Sequence, residues 1–164
     1  MTRIVRRTLP IVAALMALAI SAAACSKSGP LSHADYQKKL TQIGADLRKQ
    51  NQAFSKLNNV HSISDLKQLV APMKAGAAAV DAVANELKGL TPPADAAAAN
   101  QALVTNLPKV ADDFREFADA IDKSDLAKLT RIGKEFQSQT APGLKEVTDA
   151  ISQLKSAGYQ INNG

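Results

Sequence analysis

The sequence predicts an all-α protein, an antiparallel up-down-up-down four-helix bundle with proline-kinked helices. Three observations predict it. Apolar residues recur at alternating spacings of three and four along four segments, which gives each helix one dry face. No segment alternates apolar and polar residues as a half-buried strand does. Short connections, marked by glycine, proline, asparagine and serine, separate the segments, and long helices joined by short connections pack as antiparallel neighbours.

Residues 1–24 precede these segments and differ from them. Arg3, Arg6 and Arg7 form a positive start with no acid nearby, Ile11 to Ile20 is apolar throughout, and Ser21 to Ala24 are small. A charged start, a short apolar run and a small-residue site make a secretory signal peptide. The apolar run is shorter than the ~20 residues a membrane-spanning helix needs. Ala22-Ala23-Ala24-Cys25 resembles the lipobox of bacterial prolipoproteins, with Ala22 where that family prefers leucine. The resemblance implies cleavage before Cys25 and a diacylglyceryl group, bearing fatty acids such as palmitate, on its thiol. It also implies a cell-membrane lipid anchor facing the extracytoplasmic side, in the periplasm or at the cell surface. The alternative is an ordinary signal peptide followed by an unmodified thiol. Arg6-Arg7-Thr8-Leu9 also resembles a twin-arginine signal, but paired arginines are common in ordinary signals and general secretion is the preferred route.

Cys25 is the sole cysteine, which excludes an internal disulfide and a thiolate metal cluster. The whole chain has a net charge of +5. Residues 1–24 contribute three arginines and no acid, so 17 basic residues face 15 acidic ones in the remainder. A net charge near +2 gives no basic stripe of the kind that nucleic acid requires.

Residues 25–32 read as the lipidated cysteine and a short tether, 33–160 as the bundle domain and 161–164 as a frayed end. In the first helix Tyr36, Leu40, Ile43, Leu47, Phe54 and Leu57 form the stripe, which Asn58 and Asn59 end. Ser64 is placed to cap the second helix, with Asp65 in the first turn where negative charge suits the helix dipole. Leu66, Leu69, Met73, Val80, Val83, Leu87 and Leu90 carry its stripe, and Gly89 to Pro93 terminates it. Pro93 suits the opening turn of the third helix, whose stripe is Leu103, Leu107, Val110, Phe114, Phe117 and Ile121. Ser124 is expected to cap the fourth, striped by Leu126, Leu129, Ile132, Phe136, Leu144, Val147, Ile151 and Leu154, with Gly158 as its stop. A gapless shift of 60 residues lays the first hairpin on the second, pairing Phe54 with Phe114 and Ser64-Asp65-Leu66 with Ser124-Asp125-Leu126. A duplicated hairpin or a repeated solution to one packing problem accounts equally for that match. Pro72, Pro108 and Pro142 fall inside these helices, where each removes a hydrogen bond and kinks or breaks the helix. Thr140, ahead of Pro142-Gly143, is positioned to cap a fresh helix.

The chemistry-bearing residues are sparse. His33 and His61 stand 28 residues apart at opposite ends of the first helix, or ~42 Å at ~1.5 Å per residue, and so cannot share a metal. No Glu-x-x-His pair supports di-iron chemistry, and Met73 has no histidine opposite it for haem ligation. The acidic run Asp112, Asp113, Glu116, Asp119 and Asp122 reads as a solvated face, with Asp113 on the outside where its loss costs little. Lys27, Lys38 and Lys39 near the tether suit anionic headgroups, at ~1 kcal/mol per charge close to the surface. Leu90-Thr91-Pro92-Pro93-Ala94, set between two alanine-rich helices, resembles the small helical lipoproteins of unknown function in high-GC bacteria.

These readings point to a non-catalytic, membrane-anchored envelope lipoprotein acting as a protein-interaction or structural module. The alternative is a carrier or sensor domain holding a small apolar ligand between kinked helices. No cofactor and no catalytic residue are expected. The purified domain should therefore contain neither metal nor chromophore. Elemental analysis and a visible spectrum check this, and a stoichiometric transition metal or a Soret band would refute it.

Overall fold

A computed structural model describes the backbone of residues 29–51 and 63–161, with side chains from residue 65 onward in the second stretch and up to residue 45 in the first. The leader, Cys25 and Lys27 lie outside the described residues, as do His61 and the side chains of Leu47, Phe54 and Leu57. The described chain is all-helical: α1 (His33–Asn51), α2 (Ile63–Lys67), α3 (Val70–Gly89), α4 (Ala97–Asp122), α5 (Leu126–Ser138) and α6 (Leu144–Ser156), with no strand among the described residues. The third stripe becomes α4, a single helix of 26 residues, and this helix is the centre of the assembly. Helix α3 packs along it most extensively, α6 and α5 pack on it, α2 touches it, and α1 packs on α3.

Two of the four predicted helices are broken, one just ahead of Pro72 and one around Pro142. The second stripe divides at Gln68 and Leu69, whose amides bond the carbonyls of Asp65 and Leu66 at 3.1 and 2.9 Å. Pro72 then falls in the first turn of α3, where a missing N–H leaves no helical bond unmade. Ser64 already lies inside α2 rather than ahead of it. The fourth stripe divides between Ser138 and Leu144. Gln139 turns left-handed at φ 57°, and the Thr140 amide reaches back to the Glu135 carbonyl at 2.9 Å, closing α5 in a Schellman-type turn. Thr140 does not cap the next helix. That position belongs to Gly143, at φ 80°. A Cβ there would stand 2.7 Å from the Asn106 carbonyl oxygen, so the turn approaches α4 closely enough to require glycine. Pro108 is the exception: α4 runs through it without a break.

The cap of α5 is Asp125, whose carboxylate accepts the Lys128 amide at 2.9 Å. Ser124, the expected cap, instead makes the left-handed turn at φ 55°. Pro93 lies in the turn that leads into α4, with its carbonyl accepting the Ala96 amide at 3.0 Å.

The buried set includes Tyr36, Leu40, Ile43, Met73, Val80, Val83, Leu87, Leu103, Leu107, Val110, Phe114, Ile121, Ile132, Leu144, Val147 and Leu154. Small residues line the broad α3–α4 contact: Ala77, Ala84, Ala111 and Ala118 are buried, and alanine lets two helix backbones approach closely. Leu66, Leu69, Leu90, Phe117, Leu129 and Ile151 of the predicted stripes are only half-buried, and one departs further. Leu126 is 57% exposed, because it opens α5 just after the turn, before that helix reaches α4.

The described residues at either edge of the bundle make contacts of their own. The Leu31 amide donates to the Thr91 carbonyl at 2.8 Å, and Leu31 packs on the core. The Ser32 hydroxyl accepts the Asp35 amide at 3.1 Å and donates to the Asp35 carboxylate at 2.7 Å, capping α1. Beyond α6, Gly158 at φ 90° turns the chain so that Tyr159 is buried. Gln160 exchanges two hydrogen bonds with the Gln37 side chain, at 2.7 and 2.9 Å, and Ile161 packs on the core.

Leu107→Ala and Phe114→Ala should each lose ~2–5 kcal/mol in chemical denaturation, the range for emptying a packed core site. Leu126→Ala should change stability by less than ~0.5 kcal/mol, as surface substitutions do.

Candidate functional site

Three buried polar side chains, Asn100, Asn106 and Asp113, all project from α4. Each anchors a polar group, and two of those groups contain the residues singled out in the sequence.

The first lies where α1, the Leu90–Ala96 connection and the end of α6 meet. The Tyr36 hydroxyl donates to Asn100 Oδ1 at 2.9 Å, and Asn100 Nδ2 donates to the Leu87 carbonyl at 3.2 Å, so α1, α4 and α3 share one buried chain of bonds. The Tyr159 ring meets Tyr36 edge-on, with centroids 5.4 Å apart, and stacks on His33 at 4.0 Å. The Tyr159 hydroxyl donates to Asp95 at 3.1 Å. His33 Nε2 lies 3.4 Å from the Ala157 carbonyl and 4.0 Å from Asp95. Burial, followed by the neighbouring Tyr159, raises the Tyr36 phenol well above its ordinary value. Burial and the Asp95 carboxylate push Tyr159 up to about 12. Both phenols therefore stay protonated at neutral pH and act as hydrogen-bond donors. His33 is exposed, yet it joins this cluster at the start of α1.

The second group lies between α4 and α5. Glu116 accepts from Lys128 at 2.9 Å and from Arg131 at 2.7 Å, and the Lys128 bond leads the lowering of its carboxyl below the usual range. Arg131 also donates to both Glu135 oxygens at 2.8 Å. Beside them, Asp113 is only 8% exposed and its Oδ2 makes no hydrogen bond to the protein. Its predicted place on the outer face is thus corrected: α5 covers that side of α4. Burial, then Glu116 and Glu135, push the Asp113 carboxyl up to about 6. The rest of the acidic run behaves as a solvated, paired face. Asp112 and Asp81 bind Arg115, while Asp119 and Asp122 share Lys74 at 3.3 and 3.4 Å.

Among the described residues no three His, Cys, Asp or Glu side chains are grouped to hold a metal, and Met73 is buried in the core. Lys38 and Lys39 lie on the first turns of α1. No described helix is long and apolar enough to cross a membrane. Comparison of the chain with protein-family models, with curated proteins and with solved structures gives no match.

Sequence periodicity held signals for both groups. Asn100 stands three residues before Leu103, on the α4 stripe extended backwards. Asp113 stands three residues after Val110 and four before Phe117, at the edge of the α4 stripe, and is buried where α5 packs.

The folded-state value of Asp113 lies above the ordinary aspartate value, so folding favours its protonated form. That stabilisation is complete below the ordinary value and is lost as pH rises through about 6. Asp113→Asn, which cannot ionise, should accordingly gain ~1–3 kcal/mol over the native protein at neutral pH. The gain should vanish near pH ~4. Urea titrations at both pH values measure it, and an equal effect at the two would refute the assignment.

Proposed function

We propose that the chain is a bacterial lipoprotein precursor, processed before Cys25 and held by lipid on that residue at the extracytoplasmic face of a membrane. Its helical domain acts there as a non-catalytic protein-interaction or structural module, in an antiparallel bundle built on the α3–α4 pair. One observation carries this reading: the positive start, the apolar run and Ala22-Ala23-Ala24 end on the only cysteine in the chain.

The fold supports it in two ways. Leu31 is already fixed to the Thr91 carbonyl, six residues after Cys25, and six residues span at most ~20 Å. A lipid on Cys25 therefore keeps the Tyr159 end of the domain close to the headgroups. Lys38, Lys39 and Lys88 lie within three residues of the Tyr36–Asn100–Leu87 chain of bonds at that end. Tyr36, Asn100, Tyr159, Glu116, Lys128 and Arg131 are also occupied in hydrogen bonds or ion pairs between segments, as a structural module requires.

Expressed in a bacterium fed labelled palmitate, the native chain should take up label and sediment with membranes. Cys25→Ser should take up no label and should accumulate as the uncleaved precursor. Acylation of the Cys25→Ser chain would overturn the proposal.

A further inference from the structure

We propose that α5 is a hinged flap on α4, docked while the Asp113 carboxyl is neutral and opened locally when that carboxyl ionises. The flap geometry comes first. Ile132 and Phe136 are the buried side chains of α5, and Phe136 stacks on Phe114 of α4 with ring centroids 5.8 Å apart. The chain turns left-handed at both ends of the helix, at Ser124 and at Gln139, neither of them glycine. Such positions mark backbone held in place by its surroundings, and they relax when those surroundings release. Gly133 sits in mid-helix with open space where a side chain would go, so it weakens α5 without serving a close approach.

The charges beneath the flap supply the trigger. Glu116 from α4 and Glu135 from α5 face Arg131 and Lys128 of α5, two carboxylates against two cations. A neutral Asp113 leaves this set balanced. An ionised Asp113 makes three carboxylates against two cations, and the third is buried with Oδ2 unbonded. The charges acting on Asp113 are Glu116 and Asp112 from its own helix, and Glu135 and Arg131 from α5. Helix α3 spends its facing charges elsewhere, Asp81 on Arg115 and Lys74 on Asp119 and Asp122, and on α6 Lys145 pairs with Asp149. Lifting α5 removes Glu135 and admits water to Asp113, so the open form tolerates the ionised carboxylate that the closed form does not. The carboxyl value near 6 sets the range in which this acts.

Amide hydrogen exchange on the full chain, read by mass spectrometry and corrected for intrinsic rates, tests the flap. Between about pH 5 and about pH 7.5, peptides covering residues 126–138 should lose protection by about tenfold or more relative to those of α4. Asp113→Asn should hold α5 protected across that range. Glu135→Gln, which removes one neighbouring charge and frees Arg131, should lose less protection than the native chain. The same loss in Asp113→Asn, no loss in the native chain, or a loss spread equally over α3 and α4 would each overturn the proposal.

Discussion

Helix α4 has neighbours on most of its circumference, and that single constraint organises the rest. A helix with one wet side can hide its apolar residues along a stripe, but a central helix must hide several rows at once. Twelve residues of α4 are buried, among them alanines at 99, 111, 118 and 120. The polar residues caught in those rows then need either partners or a reason to go without. Asn100 has partners on α1 and α3. Asn106 bonds the Ala102 carbonyl at 2.9 Å and accepts from Lys109 at 2.7 Å. Asp113 is the one whose buried oxygen is left unbonded.

The helical class was legible because each stripe has the period of an α-helix, and the stripe residues of α3, α4 and α6 are largely the ones buried. The helix count was less legible. Periodicity survives across Gln68–Leu69 and across Gln139–Gly143, since a short turn can return the next helix to nearly the same face. Proline was the visible sign at both places, but proline alone does not say whether a helix breaks. At Pro108 α4 continues, and at Pro142 the chain turns, where a left-handed Gln139 and Gly143 stand beside it.

Partner assignment was the other gap. Amphipathic analysis divides a helix into one inside and one outside, and on that basis Asp113 belongs outside. The second row of α4 faces inward only because α5 folds back over it, a tertiary fact absent from any single helix. The pairing of Tyr159 with Asp95 and His33 was hidden for the same reason. Tyr159 follows a helix-stopping glycine and falls on no helical stripe, and only the turn at Gly158 brings it back to the core.

The two Gln37–Gln160 bonds have a mechanical consequence. They fasten α1 to the last described segment, while Leu31 is held separately on Thr91, so the backbone forms nearly a closed ring. Tension entering at Leu31 is shared at once with the C-terminal segment instead of peeling α1 away alone. A ring of this kind also has no privileged starting point. Linking the two ends and cutting the backbone in the exposed turn at Ser124 would preserve the neighbours of every helix, in the manner of circularly permuted domains whose ends lie together.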